Sequence, residues 1–595
     1  MNRLWKMATD SPSDMPAGKA RKLAIAAGLI FWCVLTGLAA TKYPSSGLVY
    51  LLFSAAFLLL LISGFFQRAS YSYFFLVLFL WLGFWFKFTV HLLFDYPFVE
   101  PVGDFYGPGY PWYRATWIAP VSYSMGEKLA WDNVLWVGIV GAVAVIAGHA
   151  VCCWRRKNDV AEIQSDSTHV PRWYPSARVS LWVGLLFVIV SLAVLNAALG
   201  IQQAGLVPRT VLPWPLNALI SWTVSIGSAM GVATLLHWDI GLRRRATLPA
   251  YAILLEAFAS TVSLLSRAAY IFHVLPQLMA LLHNRRHLNG IGRLGAVAFG
   301  LVVACLFVIS IGAVTALRSD FYWQVSRSDS AIDAPGNRST TQAENAPSQN
   351  TSPRLQILES AIAEITMMIK AGKNQEMQLQ KLLQEKDRLT SDMPTDSTSG
   401  HSYDNTSSGT VLEVSAKMAS SIKTVISNIL QLAADRWIGI EGVMAVQSHG
   451  EKNIDSLSNA ITEKREVGKI TSYQKISNSL YAEMDKTKNQ FASLPGAMGF
   501  FLVGGSLWFV VAGMFGLTLL LLLSERAIFA VTGNPFLCAL VGLTMANTVA
   551  QLGAAPRQNL PYFFMILLGV LVISLLQSEF LFKIFKKIRF CSSIN

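Results

Sequence analysis

Apolar runs of close to 20 residues, separated by short polar breaks, fill the first 317 positions and return after residue 495. Wound as α-helices, runs of that length match the hydrocarbon core of a bilayer. They fall near 22–40, 47–66, 71–94, 133–153, 178–200, 213–237, 247–265, 269–283, 293–317, 496–523, 527–549 and 560–582, with a turn expected at Glu525–Arg526. The pattern predicts an all-α polytopic membrane protein of about twelve transmembrane helices. A large, mostly helical, polar insert over 318–495 interrupts the spans before the last three.

The insert has its own periodicity. Residues 319–353 and 391–410 lack an apolar face and read as disordered linkers. Leu358, Ile362, Ile365 and Ile369 stripe one helical arm, and Leu379, Leu382, Leu383 and Leu389 stripe a second. Val414, Met418, Ile422, Val425 and Ile429 recur at three- and four-residue spacing, the mark of an amphipathic helix. The DRWIGIEG segment follows, with Asp435, Arg436, Trp437 and Glu441 set among Gly439 and Gly442. Glycines so spaced end a helix or let two backbones approach closely. Residues 451–490 give a last charge-rich helical stretch before the chain returns to the membrane at LPGAMGFFLVGGS. Any chemistry is expected where this insert meets the bilayer.

Charge changes the picture in one respect. Only 14% of residues are charged, yet the formal net charge is +13. Segments on one side of the spans hold roughly 22 Lys and Arg, against roughly 6 in the short loops on the other, and the insert is near neutral. The excess is therefore a topology signal and excludes a nucleic-acid partner. It predicts a tail at 1–21 and a basic tail at 583–595 in the cytoplasm, blocks of spans at 22–317 and 496–582, and the insert outside. None of the six cysteines falls in an outer loop, so no disulfide framework is implied. No Cys/His cluster has metal-ligand spacing, and no nucleotide-binding loop is present, so neither metal nor cofactor is expected.

Ionisable groups inside spans mark either structural pairs or sites. Lys87 and His91 lie in the third span, where Lys87 either faces the bundle or snorkels to the interface. Glu256 sits mid-span, Arg267 at the following outer turn, and His273 a turn and a half into the returning helix. The loop DYPFVEPVGDFYGPGYPWYRATW, with Trp112 and Arg114, is either an interfacial aromatic belt or a platform for sugar rings. Arg114, Arg209, Arg267, Arg318, Arg436 and Arg557 all fall on the outer side. Guanidinium forks at a membrane surface suit phosphate or pyrophosphate oxygens.

In this plan, with the SRAAY turn at Ser266–Tyr270, the DRWIGIEG segment and a last outer loop carrying Arg557, the chain resembles the Wzy-type O-antigen or oligosaccharide repeat-unit polymerases, and more loosely the O-antigen ligases. The resemblance implies a bacterial inner-membrane, multi-pass enzyme with both termini in the cytoplasm. Such an enzyme polymerises undecaprenyl-pyrophosphate-linked repeat units at the periplasmic face by inverting, metal-independent glycosyl transfer. It implies partners among lipid-linked oligosaccharide, membrane lipid and chain-length regulators or other envelope assembly proteins. On this reading Arg267, Arg436, Arg557, Arg318 and Arg114, with Trp112, bind substrate, and Glu441, Glu256 or His273 accepts the acceptor's proton. The insert is longer than the common plan, and 319–410 reads as an added module. Two other classes fit the same charges: a transporter or flippase for an anionic lipid or solute, and a non-catalytic envelope scaffold.

Overall fold

The computed structural model describes residues 15–43, 45–66, 70–94, 128–154, 170–204, 208–243, 247–266, 268–283, 293–332, 437–447, 451–464, 472, 495–552, 557 and 559–578. The protein is a helical polytopic membrane protein, and no strand occurs among the described residues. Its helices are α1 (Met15–Lys42), α2 (Gly47–Phe66), α3 (Tyr71–Trp81, a π turn Leu82–Phe86, then Lys87–Phe94), α4 (Lys128–Trp154) and α5 (Tyr174–Leu199). Next come α6 (Trp214–Trp222, a π turn Thr223–Gly227, then Ser228–Arg243), α7 (Thr247–Ser263), α8 (Ala269–His283) and α9 (Arg293–Ile332). After the insert follow α10 (Ile440–Gln447), α11 (Ile454–Thr462), α12 (Gly496–Leu502), α13 (Leu507–Thr532), α14 (Pro535–Ala550) and α15 (Asn559–Gln577). Among the described residues nine of these are long and apolar enough to cross a membrane; α7, α8 and α14 are shorter apolar helices. The chain divides into two compact units, 1–323 with 422–595, and 324–421; the second lies almost wholly outside the described residues.

Hydrogen bonds sort the helix ends into two faces. On one, Lys42 Nζ donates to the Leu93 carbonyl, and Tyr43 and Ser45 donate to the Asp132 carboxylate. Arg318 there donates to the carbonyls of Leu265 and Ala204. On the other, Trp173 Nε1 donates to the Leu576 carbonyl, and Gln577 Nε2 to that of Thr532. Arg178 and Tyr174 at the start of α5 close on the buried Asp239 carboxylate near the end of α6.

The C-terminal spans break in a different place from that expected. Instead of one span over 496–523 and a turn at Glu525–Arg526, the chain makes the short α12, turns through 503–506, and runs as α13 to Thr532. The two charges stay within the helix because each has a partner. Glu525 accepts from the backbone amides of Tyr71 and Ser72 (2.9 and 2.7 Å) and from Ser72 Oγ (2.5 Å), and so satisfies donors left open at the start of α3. Arg526 donates to the Cys152 carbonyl. The turn falls instead at Gly533 (φ 60°) and Asn534, whose carboxamide oxygen caps α14.

The linker expected from residue 319 is helical at its start, because α9 runs on without a break to Ile332. The rest of that linker, the arms over 354–390, the second linker over 391–410 and most of the Val411 helix lie outside the described residues.

Candidate functional site

The insert returns to the bundle as two short helices that start deep within it. The sequence IEGVMAVQ of α10 is apolar nearly all round, which a helix buried on every side requires. Ile440, Val443, Met444, Ala445 and Val446 are all buried. Helix α12 lies against it, and the contact is backbone to backbone. A Cβ on Gly442 would overlap the Pro495 carbonyl, and one on Gly439 would overlap the carbonyl of Gly83 in α3. Gly83 belongs to the π turn Leu82–Phe86, a local widening of the helix that receives Ile438 and Gly439. Just before this point Trp437 stacks on Phe79, ring centroids 5.5 Å apart.

The π turn also aims Lys87, the residue that follows it. Its ammonium donates to the Trp437 carbonyl at 3.1 Å and to Glu441 Oε1 at 2.6 Å. The Lys87 side chain is 8% exposed and that of Glu441 20%. Glu441 Oε2 is buried and has no hydrogen-bond partner among the described residues. An ionised carboxylate oxygen in that state is an acceptor waiting for a donor. At the far end of α10, Lys452 donates to the Gln447 carbonyl, and burial pulls its ammonium below the usual lysine value.

A second polar cluster joins three other helices. Glu256 of α7 and His273 of α8 are 0% and 5% exposed. His273 Nδ1 lies 3.0 Å from each Glu256 oxygen, and Nε2 lies 3.0 Å from the Ser225 carbonyl in the second π turn. Ser228 and Ser260 both donate to Glu256 Oε1, at 2.7 and 2.8 Å. The two clusters are linked by rings: Phe272 packs edge-on against Phe79, which also stacks on Trp437.

Thus Glu256 and His273 are brought together, whereas Glu441 is paired with Lys87. Arg318 donates to two loop carbonyls, tying the 200–204 connection to the 264–266 turn. That turn is also fastened by the Asn196 carboxamide, which reaches Ser263 and Gln202, and it holds Leu265 at φ 51°. Arg557 donates to the Thr462 carbonyl on an exposed surface. Arg267, Arg436, Arg114 and Trp112 lie outside the described residues. Sequence reasoning singled out both Lys87 and Glu441 but not their pairing, and it missed Ser228 and Asn196 altogether. Ser260 was accessible, since it stands four residues after Glu256 on the same helix face. No group of His, Cys, Asp and Glu able to hold a metal occurs among the described residues. Comparison with family models, curated proteins and solved structures found no match for this chain.

Proposed function

We propose that the protein is a membrane glycosyltransferase that polymerises lipid-pyrophosphate-linked oligosaccharide repeat units at the outer face of the bacterial inner membrane. Glu441 acts as its general base. The observation that carries the reading is the Glu441 carboxylate. One oxygen is held by Lys87, the other is buried and without a partner among the described residues, and the group sits at the base of a segment that re-enters the bundle from the insert. The acceptor hydroxyl oxygen attacks the anomeric carbon of the donor glycan, and its proton passes to Glu441 Oε2. The anomeric carbon–oxygen bond breaks with its electron pair leaving on the lipid pyrophosphate, and configuration inverts. Arg436 stands directly before Trp437 in the chain, and Arg267 follows the turn fastened by Arg318. These two guanidiniums bind the pyrophosphate oxygens, with Arg557 on the same face. The proposal includes twelve crossings, nine long and three short, with both termini in the cytoplasm. The basic residues of the short connections support that sidedness.

The test is the glycan-length ladder in a strain lacking the native gene. Arg267→Lys and Arg436→Lys should each leave single lipid-linked repeats with expression unchanged, because an ammonium cannot reproduce a paired fork. Arg209→Lys, a control, should give the normal ladder. Full ladders from both variants would overturn the pyrophosphate clamp.

A transporter of an anionic lipid or solute is the second reading. It is favoured by the short helices that begin inside the bundle beside buried charges. A transporter variant would lose substrate on the outer face altogether instead of shortening its chains.

A further inference from the structure

The Glu256–His273 pair is not used in the transfer, and the hydrogens around it can be counted. His273 Nε2 faces the Ser225 carbonyl at 3.0 Å, an atom that only accepts, so Nε2 carries hydrogen. Nδ1 lies 3.0 Å from both oxygens of Glu256. A lone pair on Nδ1 would point at carboxylate lone pairs, so a proton lies between the two groups. Oε1 already receives the hydroxyls of Ser228 and Ser260, and donors converging on one carboxylate favour its ionised form. The arrangement is an imidazolium beside a carboxylate. It holds one proton more than a neutral histidine and an ionised glutamate would carry.

A second observation gives this proton a route. A small crevice of about 10 Å³, room for a single water, lies between α5, the π turn of α6 and α7. Ile189, Leu192 and Val224 form its apolar wall, and Thr223, Ser228 and Ser260 its polar one. The two serines that donate to Glu256 are therefore also walls of the crevice. A hydroxyl can rotate, accepting from a water on one side while donating to the carboxylate on the other.

We propose that Glu256 and His273 form a proton-binding site of the helix bundle, holding one exchangeable proton between carboxylate and imidazole and loading through the serine-walled crevice. The site joins α6, α7 and α8 at one point, so its loading state sets how those helices pack. Phe272, adjacent to His273, relays that packing to Phe79 and Trp437 beside Lys87. The surrounding helices carry Arg178 on α5, His237 and Asp239 on α6, Tyr251 on α7, Tyr270 and His283 on α8, and Cys538 on α14. Of these, Asp239 is held by Arg178 and Tyr174, and the Tyr270 hydroxyl donates to the Val303 carbonyl.

The test is nitrogen NMR of the full chain in nanodiscs with ¹⁵N-labelled histidine, and it needs no transferase activity, so its failure is separable from failure of the transferase reading. At about pH 8 a solvent-exposed imidazole, titrating near 6.5, is almost wholly neutral. One of the nine histidines should nevertheless be protonated on both nitrogens at that pH, and this signal should vanish in His273→Gln. Glu256→Gln should convert it to a neutral ring. If that variant does not fold, the milder Ser228→Ala and Ser260→Ala carry the same test: each takes a donor from the carboxylate that proton loss leaves bare, so each should move deprotonation of the site to higher pH and slow deuterium exchange at Nδ1 by about tenfold. Only neutral histidines in the wild type at that pH, or serine variants with unchanged titration and exchange, would overturn the proposal.

Discussion

The pairing of Lys87 with Glu441 can be tested by removing each partner alone and then both. At 2.6 Å, with side-chain exposures of 8% and 20%, the pair is largely desolvated, and its attraction offsets the cost of burying two charges. Lys87→Met leaves the Glu441 carboxylate buried without a counter-charge and the Trp437 carbonyl without a donor. That should cost about 3 kcal/mol, the lower end of the range for breaking a buried pair, because Glu441 is partly exposed. Glu441→Leu strands the ammonium instead, which still reaches the Trp437 carbonyl, and should cost about 2 kcal/mol. The double variant removes both charges and fills the space with apolar atoms, so it should return to within about 1 kcal/mol of the wild type. The resulting coupling energy is about 4 kcal/mol, read from unfolding of the purified protein in mixed micelles of graded sodium dodecyl sulfate. The refolded double variant should also make no polymer, because the base is gone. Single-variant costs that sum to the double-variant cost within about 0.5 kcal/mol would refute the buried pair.

Two further outcomes follow from packing. Gly442→Ala forces a methyl onto the Pro495 carbonyl and should destabilise the α10–α12 contact by about 1–3 kcal/mol, with loss of activity; Gly184→Ala, where nothing lies within 4 Å, should match the wild type in the same unfolding assay. Glu525→Ala strips the start of α3 of its acceptor for Tyr71 and Ser72 and should cost about 1–3 kcal/mol, seen as faster hydrogen exchange at those two amides.

Much of the helical plan was legible because bilayer thickness fixes helix length. The runs at 47–66, 71–94 and 269–283 recur as helices with nearly the same limits. The break at 503–506 went unread although Gly504, Gly505 and Ser506 mark it as turn and N-cap residues, because hydropathy alone does not separate a short re-entrant helix from the start of a span. Glu525–Arg526 read as a turn for the opposite reason: both are hydrogen-bonded within the helix by Tyr71, Ser72 and Cys152, more than 370 positions away in the chain. The candidate site divides in the same way. Glu256, His273, Lys87 and Glu441 stood out as ionisable groups in or beside apolar helices, but which pairs with which is a property of tertiary packing. The two π turns left no mark in the hydrophobic pattern, yet one aims Lys87 at Glu441 and the other offers the Ser225 carbonyl to His273.

The most direct measurement of the central claim is reconstitution. Purified protein in lipid vesicles would be supplied with undecaprenyl-pyrophosphate-linked repeat units, following both glycan length and released lipid pyrophosphate. The wild type should lengthen the glycan and release one lipid pyrophosphate per unit added. Glu441→Gln, which keeps an oxygen for Lys87 but is no base, should lose at least about a hundredfold in rate while still folding. A folded wild-type protein that lengthens nothing, or a Glu441→Gln variant that polymerises at the wild-type rate, would contradict the account.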